Sequence, residues 1–162
     1  MIFVILGTQK FQLNRLLIEI DDLIETGGIT QEVIAQFCVS DYEPKHYKYY
    51  RYVDKKQFDE FILQSTVVIT HSGVGSIISA LKSKKPVVIY PRLQKYHEHV
   101  DDHQLDIAKA FEKKNFVICR YDDVPLPLVL KRCRHFPFAD YVPNTNQMIS
   151  IIQDFLNKEL SL

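Results

Sequence analysis

Short unbroken apolar runs recur along the chain, and most are followed by a longer segment whose apolar residues fall three and four apart. "IFVIL" (2–6) is the first run. With no polar position to meet water, it reads as a strand covered on both faces. After the turn "GTQKFQ", Leu13, Leu16, Leu17, Ile20, Leu23 and Ile24 predict a helix near 11–26, closed by Gly27-Gly28. "EVIAQFCV" (32–39) and the tyrosine-rich "YKYYRYV" (47–53) predict the second and third strands. Asp54 with Gln57 has the form of a capping box and opens a short helix to about residue 64. "TVVIT" (66–70) is the fourth strand, followed by a glycine turn and a helix over about 75–83. Pro86 introduces the fifth, "VVIYP" (87–91); a loop then leads to a helix near 101–114 and the sixth strand, "FVICR" (116–120). "DDVPLPLVLKRC" predicts another short helix. "TNQMISIIQDFLNKEL" (145–160) predicts an amphipathic one, with Met148, Ile151, Ile152, Phe155 and Leu156 on one face.

Strands alternating with helices imply parallel pairing and right-handed crossovers, hence an α/β, doubly wound, Rossmann-like sheet. Ligands of such sheets bind beyond the carboxyl ends of the strands, near the point where strand order reverses. Three segments are predicted to meet there: Leu6-Gly7-Thr8, Thr70 to Ser76, and Pro91 to Gln104.

Composition narrows the class. The chain has 162 residues, 46% hydrophobic and 25% charged, which suits one globular domain spanning 1–162. Twenty basic and twenty acidic residues cancel, so there is no general field for nucleic acid or an anionic membrane. Cys38, Cys119 and Cys133 are far apart and lack zinc-binding spacing, which predicts reduced thiols in a cytoplasmic protein. "MIFVILGTQ" has too short an apolar run and no basic lead, so it reads as a strand rather than a signal peptide.

Two motifs carry candidate chemistry. "THSGVGS" (70–76) joins a buried strand to a helix, and Ser72, Gly73, Gly75 and Ser76 offer hydroxyls, close backbone approach and free helix-start N–H groups to an anion. It is not the dinucleotide fingerprint, because no GxGxxG follows the first strand. "HEHVDDHQ" (97–104) holds three of the six histidines. His99 and His103 would share a helical face, with Glu98, Asp102 or Asp106 to complete a metal site. Alternatively the stretch is a solvated loop, or a polar grip in which Asp102, His103 and Gln104 face the ligand edge. The Gln104 amide offers both a donor and an acceptor to paired hydroxyls. "YKYYRY" (47–52) packs, or lines a nucleobase or partner surface. "LKRCRHFPF" (130–138) is a solvated loop or a contact with a partner or membrane.

The string "HSGVGSIISALKSKKPVVIYPRLQKYHEHVDDHQLDIAKAF" (71–111), with the opening "VILGTQKFQLNRLL", resembles the C-terminal, nucleotide-sugar-binding half of family 28 glycosyltransferases. The resemblance extends over nearly the whole chain. It is closest to the short free-standing members, the PssE-like capsular and exopolysaccharide subunits and the eukaryotic N-glycan subunit. It implies half of a GT-B enzyme, in which two Rossmann-like domains flank an active-site cleft. The acceptor-binding half is then a separate, membrane-associated chain, with this one cytoplasmic and peripheral to the inner face of the membrane. The helix within 145–162 either packs on its own sheet or, as in the two-domain enzymes the chain resembles, helps dock the partner.

Residue by residue, the resemblance places Gly7 and Thr8 near the diphosphate, and Ser72, Gly73, Gly75 and Ser76 at the diphosphate and ribose. His103 and Gln104 fall at the sugar hydroxyls. Ser79 stands where members commonly carry a ribose-binding Glu. The implied reaction is an inverting transfer from a UDP-sugar, with galactose first, to a lipid-linked saccharide. It uses no cofactor and no metal at the diphosphate. His71 is the local candidate for the base, with a packed histidine or a base from the partner as alternatives. A non-catalytic UDP-sugar-binding or stabilising subunit is the second reading, and a histidine-cluster metallohydrolase the third.

Overall fold

The computed structural model describes residues 1–143. The helix expected over 145–162 lies outside the described residues. Strands β1 (Ile2–Ile5), β2 (Val33–Gln36), β3 (Lys48–Tyr50), β4 (Val67–Thr70), β5 (Val87–Ile89) and β6 (Ile118–Cys119) form one sheet in the order β3-β2-β1-β4-β5-β6. Every pairing is parallel. Strand order reverses between β1 and β4, which pair from Ile2↔Val67 to Ile5↔Thr70. The fold is the expected doubly wound α/β sheet.

The period of two in β1 divides the core. Ile2, Val4 and Leu6 point to one face. They pack among Leu13, Leu16, Leu17 and Ile20 of helix α1 (Asn14–Glu25) and its entry, and Leu126 and Val129 of α5 (Leu126–Cys133). Phe3 and Ile5 point to the other. They meet Ile62 of α2 (Lys55–Gln64), Ile77, Ala80 and Leu81 of α3 (Val74–Lys82), and Ala108 of α4 (His103–Glu112). Strand cores are shorter than their apolar runs. Tyr90, Pro91 and Arg92 after β5, for example, stay buried without extending the ladder. The β2–β3 connection contains no helix. Asp21 of α1, 2% exposed, pins it by accepting from Tyr42 Oη (2.6 Å), Lys45 N (2.7 Å) and His46 N (2.9 Å). At α2 the Asp54 carboxylate accepts from Gln57 N at 2.8 Å, as the capping pattern predicts.

Two buried polar side chains bring the carboxyl-end loops together. Arg92 is fully buried. It donates through Nη2 to Leu6 O (2.7 Å) and Phe11 O (2.8 Å) and through Nε to Gln12 O (3.2 Å), holding the β1–α1 loop from the end of β5. Gln104, 4% exposed, accepts at Oε1 from Arg92 N (3.0 Å) and Ser72 N (3.3 Å), joining the β4 and β5 loops to α4.

Lysine has one compact nitrogen and cannot span these separated carbonyls as a planar guanidinium does. Arg92→Lys is therefore expected to lower unfolding stability by roughly 2–3 kcal/mol, the scale of orphaned buried acceptors. Urea denaturation measures it, and an unchanged midpoint would show that the loop is held by other contacts.

Candidate functional site

A cleft of about 460 Å³ opens at the carboxyl ends of β1 and β4, at the reversal of strand order. Gly7 and Thr8 line it from the β1 loop, Gly75, Ser76 and Ser79 from α3, and Gln36, Tyr52, Val53, Lys55 and Phe58 from β2 and the β3–α2 corner. A larger cavity, about 600 Å³ between Ile2, Thr66, Pro86 and Cys133, lies at the amino ends of the strands. We assign the site to the smaller cleft, because the connecting loops and the helix start at this switch point point their free groups outward there.

The floor of the cleft is the start of α3. Gly73 is its N-cap residue and supplies no capping side chain, so the first N–H groups have no side-chain partner. A methyl group added at Gly75 would meet nothing within 4 Å, so that position faces open space. The Ser79 hydroxyl donates to Gly75 O at 2.9 Å, leaving its oxygen lone pairs as acceptors. Lys55 begins α2 with its ammonium paired to the Asp59 carboxylate one turn on, and no carboxylate is among the described residues that line the cleft. These groups suit an anion: uncapped helix N–H groups and the partial positive charge of the helix end, with the Lys55–Asp59 pair at the rim. Tyr52, Val53 and Phe58 add an apolar wall beside it.

Gly7, Thr8, Gly75, Ser76 and Ser79 thus converge as expected on one edge, whereas His71, Ser72 and Gly73 lie beneath the lining. Ser72 is 1% exposed, and its Oγ has no partner among the described residues. His71 is 6% exposed, and Nδ1 faces Ile5 O at 3.3 Å, which makes that nitrogen the N–H donor. A methyl group added at Gly73 would sit 2.2 Å from His71 Nε2, and one at Gly7 2.6 Å from its Cε1. Gly7 also has φ +73°, which side chains other than glycine rarely adopt. The glycines at 7 and 73 therefore make room for an imidazole, where the sequence suggested close approach to a phosphate. Burial, with Arg92 adding to it, pushes the His71 pKa down to about 4. This geometry matches the packed-histidine alternative.

The "HEHVDDHQ" stretch departs from its expected helical geometry. Helix α4 begins only at His103, so His99 and His103 do not share a helical face. Glu98, 1% exposed, pairs with Arg15 (2.9 Å) and accepts from Leu93 N (3.1 Å). Asp102 accepts from Gln94 N at 2.7 Å. Gln104 turns inward, so its Oε1 is committed to backbone N–H groups and only Nε2 remains for a ligand. His103 is half-exposed and pairs with Asp101. Arg92, Glu98 and Arg15 organise the site, yet from sequence Glu98 is only a possible metal ligand, and Arg15 and Arg92 have no role. The one signal was a lone cation inside the otherwise apolar "VVIYPRL".

Residues 1–149 match the sequence profile described as the glycosyltransferase family 28 C-terminal domain. The chain belongs to this family. Two curated relatives are UDP-N-acetylglucosamine transferase subunits ALG13. The one from Candida albicans is 33% identical over 87 residues, covering 54% of this chain and 27% of that protein. The one from Mus musculus is 31% identical over 84 residues, 50% of this chain and 7% of that protein. The family 28 chain therefore aligns with about a quarter or less of these relatives. Among solved structures, the spinosyn forosaminyltransferase SpnP superposes with a TM-score of 0.58 at 17% identity, over 84% of this chain and 35% of that one. The glycotransferase of kitacinnamycin gives 0.59 at 17%, over 83% and 34%. At that identity the likeness concerns the fold. Among the described residues, no helix of this family 28 chain is long and apolar enough to cross a membrane.

Because the folded state resists protonating His71, its contribution to stability is complete above the ordinary histidine pKa of about 6.5 and falls as pH drops from there towards 4. The loss amounts to roughly 3 kcal/mol for a shift of this size. In a histidine NMR titration one of the six rings should stay neutral until about pH 4. Six midpoints near the ordinary value would mean that His71 is open to water.

Proposed function

We propose that this chain is the sugar-nucleotide-binding subunit of a two-chain, family 28 glycosyltransferase. The observation that carries the reading is the uncapped start of α3 facing a cleft with no carboxylate among the described residues that line it. The diphosphate of a UDP-sugar lies against the N–H groups of Val74, Gly75 and Ser76, with Thr8 and Lys55 beside it. The uracil and ribose extend towards Val53, Tyr52 and Phe58, and Ser79 offers a hydroxyl where a carboxylate is common in the family. The sugar lies towards the start of α4, near His103 and the Gln104 amide. Support for that direction comes from the bond between Gln104 and Ser72 N, which sets the start of α4 against the glycine turn.

Catalysis on this reading is electrostatic. As the bond from the anomeric carbon to the diphosphate breaks, charge accumulates on the leaving oxygen, and fixed N–H groups stabilise it without reorganisation. A divalent ion bridging the phosphates is commonly held by one or two protein carboxylates, and none is among the described residues that line the cleft. The acceptor hydroxyl attacks from the opposite face and needs a base. His71 is buried and packed, so the base comes from a partner chain that also carries a lipid-linked saccharide acceptor. The family resemblance favours galactose and capsular or exopolysaccharide assembly, at a membrane reached through the partner.

Two experiments test this reading. Calorimetry in EDTA should show UDP binding with the same affinity as in Mg²⁺. Gly75→Val, at a position with open space, should leave the melting temperature nearly unchanged while weakening UDP at least tenfold. Unchanged UDP affinity in that variant would place the nucleotide elsewhere. Transfer assays with UDP-galactose and UDP-N-acetylglucosamine should show turnover only when the acceptor-binding chain is coexpressed. Binding without turnover in its presence would favour the stabilising-subunit reading that the burial of His71 also suits.

A further inference from the structure

We infer that His99, Asp101 and His103 form a binding site for a divalent transition-metal ion of the zinc class. One ligand atom from each residue lies within 4.8 Å of the others. Both imidazoles turn Nδ1 towards the same carboxylate oxygen, Asp101 Oδ1. His103 is hydrogen-bonded to it, and His99 approaches to 3.3 Å. Yet, among the described residues, His99 Nδ1 has no hydrogen-bond partner, although its side chain is only 8% exposed. An orphaned buried nitrogen is costly, and one carboxylate oxygen serves the two rings poorly. A cation held between the two nitrogens and the oxygen satisfies all three atoms at once.

The rings are already held in place. His99 lies against the Phe11 ring with centroids 4.5 Å apart, and the edge of His103 meets His99 at 4.5 Å. Phe11 is fixed in turn by the bond from its carbonyl to Arg92. Neighbouring carboxylates are engaged elsewhere, Glu98 with Arg15 and Asp102 with Gln94 N, so Asp101 is the acid the site uses. Two imidazoles and one carboxylate select zinc, cobalt or nickel over magnesium or calcium, which prefer all-oxygen shells. Asp101 and His103 are exposed, so water or a ligand oxygen can occupy a fourth position. None of the three residues lines the cleft assigned to the nucleotide. His103 also stands towards the proposed sugar position, so the two sites adjoin; the zinc titration, run without nucleotide, tests the metal site apart from the proposed function.

The full chain, stripped with EDTA and dialysed, is titrated with Zn²⁺ against a chromogenic chelator. Asp101→Asn and His103→Ala, both at exposed positions, are tested beside it, with melting curves to confirm folding. The expected result is one Zn²⁺ per wild-type chain, with affinity at least tenfold weaker in each variant and no displacement by equal Mg²⁺. Zinc bound equally by the wild type and the folded variants would place the ion on other groups, such as the cysteines, and overturn the inference. So would a wild type that takes up none.

Discussion

The carboxyl end of this sheet depends on a guanidinium buried without a carboxylate in contact. Burial pushes the Arg92 pKa down to about 10, only partly offset by the more distant charge of Glu98, so the group sits where its charge is disfavoured. It is held by main-chain carbonyls. Leu6, Phe11 and Gln12 accept from it, and these residues bracket the loop that carries Gly7 and Thr8. An apolar residue would fill the volume but leave those carbonyls without donors. The loop's place beside the start of α3 follows from this bonding more than from its own turn preference.

Gln104 extends the same logic. Its single oxygen receives N–H groups from the loops after β4 and β5, so three consecutive segments of the ligand edge form one hydrogen-bonded unit. Arg15 adds an outer tie. It pairs with buried Glu98, reaches Pro91 O at 3.2 Å, and lies over the rings of Tyr90 and Tyr96. The eight residues 97–104 therefore divide their work. Glu98, Asp102 and Gln104 hold backbone, while His99, Asp101 and His103 turn towards one another.

Glycine is scarce in the chain, with five in all, and three stand at this edge for different reasons. Gly7 and Gly73 leave room for the His71 ring from two sides, whereas Gly75 faces open space. Only Gly75 is free to allow a ligand to approach the helix start. The uncapped α3 terminus and its electrostatics thus rest on a buried histidine that the same glycines accommodate.

The alternation of unbroken apolar runs with helical periodicity fixed the six strands, the five helices of the described region and the carboxyl-end edge where the loops meet. Those signals are local, because each depends on which neighbours along the chain point the same way. Family membership was equally legible, since the motif string and the opening turn lie in order along the sequence. Tertiary structure alone decided which polar side chains face the cleft and which hold the loops. Arg92 meets its carbonyl partners across about eighty residues, and Gln104 reaches Ser72 across 32. No periodicity records such distances. The same side chains would read as ligand groups if turned outward, and it is packing against loops distant in sequence that turned them inward.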